Sequence, residues 1–285
     1  MTVLAPYQNP ALATRKVRFS RVLAAEWIKL RSLRSTWWVF GVYLVLAVGF
    51  QLILVFNFYW PAVSEVTGGE EAWRNLVSEQ MVEGQATVAF AMVVMVLAVA
   101  GVLLLTNEYS SGMIRSTFAA VPRRLPVLLA KALLISLVTI ALMAIAELFG
   151  AAVAGLVAQT KDVTLTVTAT VWRIWGMSLV TGALLVLLFL GLGALLRSSA
   201  AGIATAYGLS MVIPSMILPL LGLVNEVFVK AIKYFPMAAG TSTINASPFV
   251  EGDTALGLLP SFLVMLAWAA VAMILGGWRF MRRDA

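Results

Sequence analysis

Apolar residues in this chain fall into long blocks rather than a short alternation. Runs of about 20 residues or more cover Trp37–Tyr59, Gln85–Thr106, Pro126–Ala158, Val171–Leu196, Ser199–Leu221 and Ala255–Trp278. A helix rising 1.5 Å per residue needs about 20 residues to cross a hydrocarbon core of about 30 Å. The pattern therefore predicts an all-α, polytopic membrane protein with six transmembrane helices. The run 126–158 exceeds the bilayer thickness and is expected to tilt or protrude. Only Arg197 and Ser198 separate the fourth and fifth runs, a hairpin too tight for a soluble domain. With no linker or internal repeat in view, residues 1–285 are read as one transmembrane domain. The first run begins too far along to read as a cleaved signal peptide.

Three segments outside the runs have their own character. Over residues 15–36, Phe19, Leu23, Trp27, Leu30, Leu33 and Trp37 recur every three or four positions and form one apolar helical stripe. Arg18, Arg21, Lys29, Arg31 and Arg34 accompany it, mostly off the stripe. This predicts an amphipathic helix lying in the membrane interface, with Trp27 in the bilayer and the cations on headgroups. The plainer alternative is a basic flank that fixes topology. Residues 60–84 carry Glu65, Glu70, Glu71, Glu79 and Glu83 against Arg74, the pattern of a solvated acidic loop. Residues 222–254 mix apolar stretches with Pro236, Gly240 and Pro248, while Pro214 and Pro219 interrupt the fifth run. A break in that span, and an outer segment that re-enters the membrane, are expected.

Composition narrows the chemistry. Hydrophobic residues make up 61% and charged residues 12%, with mean hydropathy +0.96. Soluble domains average about 45–50% and about 25%. There is no cysteine and no histidine, so disulfides, thiol nucleophiles, histidine–metal sites and Ser–His–Asp triads are excluded. No catalytic and no metal-binding residues are expected. The net charge of +7 is explained by topology rather than by nucleic acid. Fifteen of the 20 basic residues lie on the side that six spans give to both termini, and that side is expected to be cytoplasmic. Within the runs, Glu147, Gln51 and Asn57 are the polar candidates for a substrate cavity; helix packing is the ordinary alternative for Glu147.

The loop 107–122 is the most informative segment. Asn107 is a candidate helix N-cap, Glu108 suits a first turn at the positive dipole end, and Pro122 stops the segment. A short cytoplasmic helix presenting Tyr109, Met113, Ile114 and Phe118 is expected. The string Glu108-Tyr109-Ser110-Ser111-Gly112-Met113-Ile114-Arg115-Ser116-Thr117, followed by Pro122-Arg123-Arg124 and Lys131, resembles the coupling loop of ABC-2 type transporter permeases. Residues 25–38, from Ala25-Glu26-Trp27 to Trp37-Trp38, resemble the entry segment of small bacterial members of that group. With the six-span pattern, the resemblance extends over nearly the whole chain.

The resemblance implies a connecting helix over 15–36 and an ATPase-coupling helix formed by Glu108, Tyr109, Ser110, Ser111, Gly112, Met113, Ile114, Arg115 and Thr117. It also implies a partly embedded outer segment over 222–254. The implied function is the permease subunit of an ATP-driven exporter in the bacterial plasma membrane, multi-pass with both termini cytoplasmic. The implied partners are two nucleotide-binding ATPase subunits and a second permease copy or homologue, in the lipid bilayer. No Gly-x-x-x-x-Gly-Lys-Ser/Thr string occurs, so no cofactor is expected in this chain, and ATP and Mg are expected in the partner ATPase. The chain is thus expected to be a transport subunit and not itself an enzyme. The apolar spans suit an amphiphilic or lipophilic substrate such as a drug, antibiotic or lipid-like molecule, moved by alternating access, with multidrug efflux and antibiotic resistance as corollaries. The competing class is an ATP-independent secondary transporter or channel, for which one intramembrane acid is a thin basis.

Overall fold

The computed structural model describes residues 18–32, 34–60, 71–160, 167–245 and 255–282. Arg15, Lys16, Leu33, Glu65, Glu70, Pro248 and the rest of 246–254 lie outside the described residues. Every regular element among the described residues is helical. In chain order these are α1 (Phe19–Ser32), α2 (Arg34–Leu54), α3 (Glu71–Met92), α4 (Ala98–Ser110), α5 (Met113–Ala120), α6 (Leu125–Gln159), α7 (Ala169–Leu196), α8 (Ser199–Tyr207), α9 (Leu218–Gly222), α10 (Val227–Ala231), α11 (Pro236–Asn245) and α12 (Leu258–Arg282).

Among the described residues, five helical stretches are long and apolar enough to cross a membrane: Thr36–Asn57, Leu125–Gln159, Ala169–Leu196, Ser199–Gly222 and Leu258–Arg282. They coincide with the first and the last four of the expected runs. The expected span 85–106 is not among the five; it falls on α3 and α4, which are joined by a π-helical turn, Val93–Leu97. At 35 residues, α6 is about 52 Å long, well beyond a bilayer core.

Two further π segments occur, Val55–Tyr59 and Gly208–Ile217. The second replaces the expected break in the fifth run. Pro214 has no N–H, and its ring clashes with the carbonyl four residues back in a regular helix. Widening to i→i+5 bonds, as in Leu218 N–H to Ile213 O, carries the helix past it without interruption from Ser199 to Gly222. Beyond Gly222, α10 and a 3₁₀ turn (Ile232–Tyr234) lead into α11. α11 folds back against α3, α7 and α12 and buries Pro236, Ala239, Gly240, Thr243 and Ile244.

The core centres on α7. Its start is capped by Thr168 Oγ1, which accepts from Val171 N–H at 3.3 Å. Its face over Leu185–Ala194 is almost continuously buried against α3, α4, α6 and α12. A Cβ at Gly191 or Gly276 would collide with the backbone of the facing helix. Glycine at these two positions is what lets α7 and α12 approach backbone to backbone.

Candidate functional site

The chemistry gathers at one end of the bundle, where α1, α4, α5 and α6 meet. α1 buries Val22, Glu26 and Leu30, spaced four apart on one face. That face brings Glu26 and, one turn on, Lys29 against the bundle. α4 delivers Glu108 from its last turn, α5 delivers Thr117, and α6 delivers Lys131 from its second turn. Lys131 Nζ donates to Glu26 Oε2 at 2.6 Å and to Glu108 Oε1 at 2.7 Å. Lys29 Nζ donates to Glu26 Oε1 at 2.7 Å, to Glu108 Oε1 at 3.1 Å and to Thr117 Oγ1 at 3.1 Å. Two carboxylates and two ammonium groups thus close a ring. The Lys131, Glu26 and Glu108 side chains are 1%, 4% and 4% exposed.

This arrangement is electrostatically neutral but expensive to break. Removing one partner of a buried ion pair typically costs about 3–5 kcal/mol, because the other charge is left uncompensated. Replacing the whole set by apolar residues can be neutral, so the ring acts mainly by specifying which helices meet. Burial pulls the Lys29 ammonium down, but its hydrogen bond to Glu26 and the charges of Glu108 and Glu26 outweigh that and hold its pKa above the ordinary lysine value. Glu108 sits at the C-terminal end of α4, where the helix dipole disfavours an anion, and the two lysines offset this. Its Oε2 is buried without a hydrogen bond.

The structure redistributes the sequence-derived site residues. Glu108 does not begin a helix and Asn107 is not an N-cap: α4 runs on to Ser110, and the Asn107 carbonyl instead accepts from Ser111 N–H. The chain then turns at Gly112, which has φ 71°, and α5 begins at Met113. The expected coupling helix therefore starts five residues later than its first residue in the sequence reading. Its Ile114 and Thr117 face inward, while Ser110, Ser111, Gly112, Met113 and Arg115 are exposed; Tyr109 is half-buried.

Arg18, just before α1, and Arg21, Trp27 and Arg31 on it are exposed, as is Arg34 at the head of α2. Phe19, Trp27 and Ile28 are 44%, 43% and 65% exposed, leaving an apolar face outside the protein. Lys29 departs from the expected headgroup position and turns into the ring.

Of the three cavity candidates, Glu147 and Gln51 are buried inside the bundle, with Ser178 Oγ donating to Glu147 Oε1 at 2.6 Å. Asn57 is exposed and donates to its own helix at Ile53 O, so the three do not line one wall. Glu26 and Lys131 were not among the candidate site residues. Lys131 carried a readable signal: a lysine more than a turn inside an apolar run has to face protein or find a partner.

A family model for ABC-2 family transporter proteins matches residues 22–216. The chain belongs to that ABC-2 family. The match takes in all four ring residues, Thr117 and the whole α4–α5 segment, and it ends within the π segment of the fifth apolar run. The protein is therefore a multi-pass membrane protein and a transport component rather than an enzyme, of a family whose permeases generally work with ATPase subunits. No curated protein matches the chain.

Proposed function

We propose that this ABC-2 family protein is the permease subunit of an ATP-driven exporter, with α5 and the exposed turn before it as the contact for a nucleotide-binding subunit. The observation that carries this reading is the ionic ring. It ties α5 to the interfacial helix α1, to the end of α4 and to the head of α6 through one buried set of bonds. A push on α5 is thereby delivered to three other helices at once, which is what conversion of ATPase closure into rearrangement of the spans requires. α1 serves as the connecting helix, its ring face inward and its Phe19/Trp27/Ile28 face in the bilayer. The transport unit comprises two permeases, two copies or a copy and a homologue, with two ATPase subunits that hold ATP and Mg. The chain folds as one transmembrane domain with six spans, in the bacterial plasma membrane and with both termini cytoplasmic. The outer segment 222–254 is partly embedded.

The substrate cavity lies between the permeases and closes inward and opens outward in turn. The outer surface of α2 and the α3–α4 junction carry an apolar groove of about 600 Å³ lined by Trp38, Val42, Leu46, Phe50, Met92 and Val96. A wall of that character supports an amphiphilic or lipophilic substrate. The enclosed Glu147–Ser178 pair is better suited to packing than to ion coupling.

The test is copurification with a cognate ATPase. Met113→Asp and Arg115→Glu alter the exposed face of α5 without touching the ring, and each is expected to reduce ATPase retention at least about tenfold, the effect of about 1.4 kcal/mol at an interface. Unchanged retention and unchanged ATP-dependent transport in both variants would remove α5 as the contact.

A further inference from the structure

The same end of the molecule carries a second cluster, rich in hydrogen-bond donors. The Arg197 guanidinium lies 4.9 Å from the centre of the Tyr109 ring. Arg124 and Arg279 stand within electrostatic reach of the same phenol. Arg197 Nη2 donates to Arg279 O at 2.9 Å, and Arg124 Nη1 to Met281 O at 3.2 Å. Arg124 also stacks on Phe118 at 4.4 Å, and Phe118 meets Phe280 edge-on at 5.2 Å. Three arginines from the head of α6, the α7–α8 hairpin and the end of α12 are thus held around one tyrosine. Glu108, the neighbouring carboxylate, is committed to Lys29 and Lys131.

In this cluster the Tyr109 hydroxyl and Arg279 Nε–H are buried and make no hydrogen bond. Such groups call for an acceptor, and the surrounding guanidinium groups select an anionic one. Guanidinium forks match the geometry of phosphate oxygens. Arg197 is also the one non-glycine residue with positive φ among the described residues, at 56°. Strain of that kind concentrates at functional positions. Tyr109, Arg124, Arg197 and Arg279 all lie within about one turn of the end of an apolar run, which is the depth of lipid headgroups.

We propose that Tyr109, Arg124, Arg197 and Arg279 form a binding site for a phosphate group, that of an anionic phospholipid in the leaflet at this end of the protein. The site stands independently of the export reading. Tyr109 belongs to the turn that leads into α5, so an occupied site braces that turn from the side opposite the ionic ring.

The purified full-length protein in detergent is titrated with phosphatidylglycerol, with phosphatidylcholine and with inorganic phosphate. Lipid binding is read by native mass spectrometry and the unfolding midpoint by a thermal shift. Phosphatidylglycerol is expected to bind and stabilise, and phosphatidylcholine is not. Arg279→Gln and Tyr109→Phe are each expected to weaken phosphatidylglycerol binding about fivefold, the weight of one interfacial contact. Lys230→Gln, on α10 at the opposite end of the bundle, is expected to leave it unchanged. Equal stabilisation by inorganic phosphate, lost in the same variants, would keep the phosphate site and overturn its lipid occupant. Equal binding of the two lipids, or undiminished phosphatidylglycerol binding by Arg279→Gln and Tyr109→Phe, would overturn the proposal. Tyr109→Phe keeps the ring and its contacts, so a loss there cannot be assigned to misfolding.

Discussion

Glu108 and Lys131 show how much a single residue's environment decides. In sequence, Glu108 reads as a surface acid at a helix start, worth about 0.3–1 kcal/mol to the helix. In the structure it is 3% exposed and shares a buried ring with three other charges. Lys131→Met is therefore expected to destabilise the protein by about 3–5 kcal/mol, because it leaves two buried carboxylates with one cation. The pair Glu108→Leu/Lys131→Met removes one charge of each sign and leaves Glu26 with Lys29. It is expected to recover at least half of the single-variant loss. Thermal unfolding of the native protein, Lys131→Met, Glu108→Leu and the double variant in detergent measures this, and additive losses would mean that the two side chains do not interact. Lys29 gives a pH signature. Its folded pKa is raised above the ordinary value, so the stability it contributes is fully present below about pH 10.5 and is lost as pH rises through the folded value. Above about pH 10.5 the unfolding midpoint of the native protein is expected to fall more steeply than that of Lys29→Gln; parallel curves would exclude Lys29 as a titrating member of the ring.

At the level of elements, much was legible and the failures have physical causes. The apolar runs gave the first and the last four expected spans to within a few residues, because twenty apolar positions in a row admit few other structures. The amphipathic segment gave α1, but its inward face is Val22, Glu26 and Leu30, a stripe holding a charge that a hydrophobic pattern cannot select. The π segment around Pro214 was read as a break, since composition does not say whether a helix yields at proline or widens past it. The start of α5 was misplaced because Asn107 and Glu108 fit an N-terminus locally, whereas continuity of α4 to Ser110 is set by tertiary contact. The true punctuation is Gly112. Its φ of 71° is left-handed, and a Cβ there meets nothing within 4 Å, so a side chain is opposed by the backbone alone. Gly112→Ala is expected to lower stability by about 1–2 kcal/mol, and Gly112→Asn by less, since asparagine visits this region more readily. Equal losses in calorimetric or denaturant unfolding would argue that space rather than backbone conformation constrains the turn. The ion ring itself was not legible, because it joins three helices through residues 26, 29, 108 and 131, whose proximity only the fold establishes.

At the scale of the whole molecule, topology turns on whether α3 and α4 together cross the bilayer. Five apolar helices alone would place the termini on opposite sides; a sixth returns them to the same side. The contacts at the two ends of the bundle favour six. At one end, Glu26, Glu108 and Lys131 meet, Arg124 reaches Met281, and Arg197 reaches Arg279. At the other end, Thr168 Oγ1 donates to Glu79 at 2.7 Å, and Thr87 Oγ1 donates to Asn245 at 2.9 Å. The helix from Glu71 to Ser110 therefore runs between the same two ends as α6, which is one of the five. The basic bias agrees, since 12 of the 16 cations among the described residues fall toward the end holding the ring, and such a bias marks the cytoplasmic face. The chain contains no cysteine, so single cysteines report cleanly. Ser111 is exposed in the turn before α5, and Glu226 is exposed beyond α9 at the opposite end. Neither side chain belongs to the ring or to the arginine cluster. In intact cells, an impermeant maleimide is expected to label Glu226→Cys and to spare Ser111→Cys, which reacts only after the membrane is opened. A cysteine appended at the C-terminus is expected to behave like Ser111→Cys. Labelling of Ser111→Cys in intact cells with protection of Glu226→Cys would invert the protein. Labelling of the C-terminal cysteine together with Glu226→Cys would instead leave five crossings and exclude α3–α4 as a span.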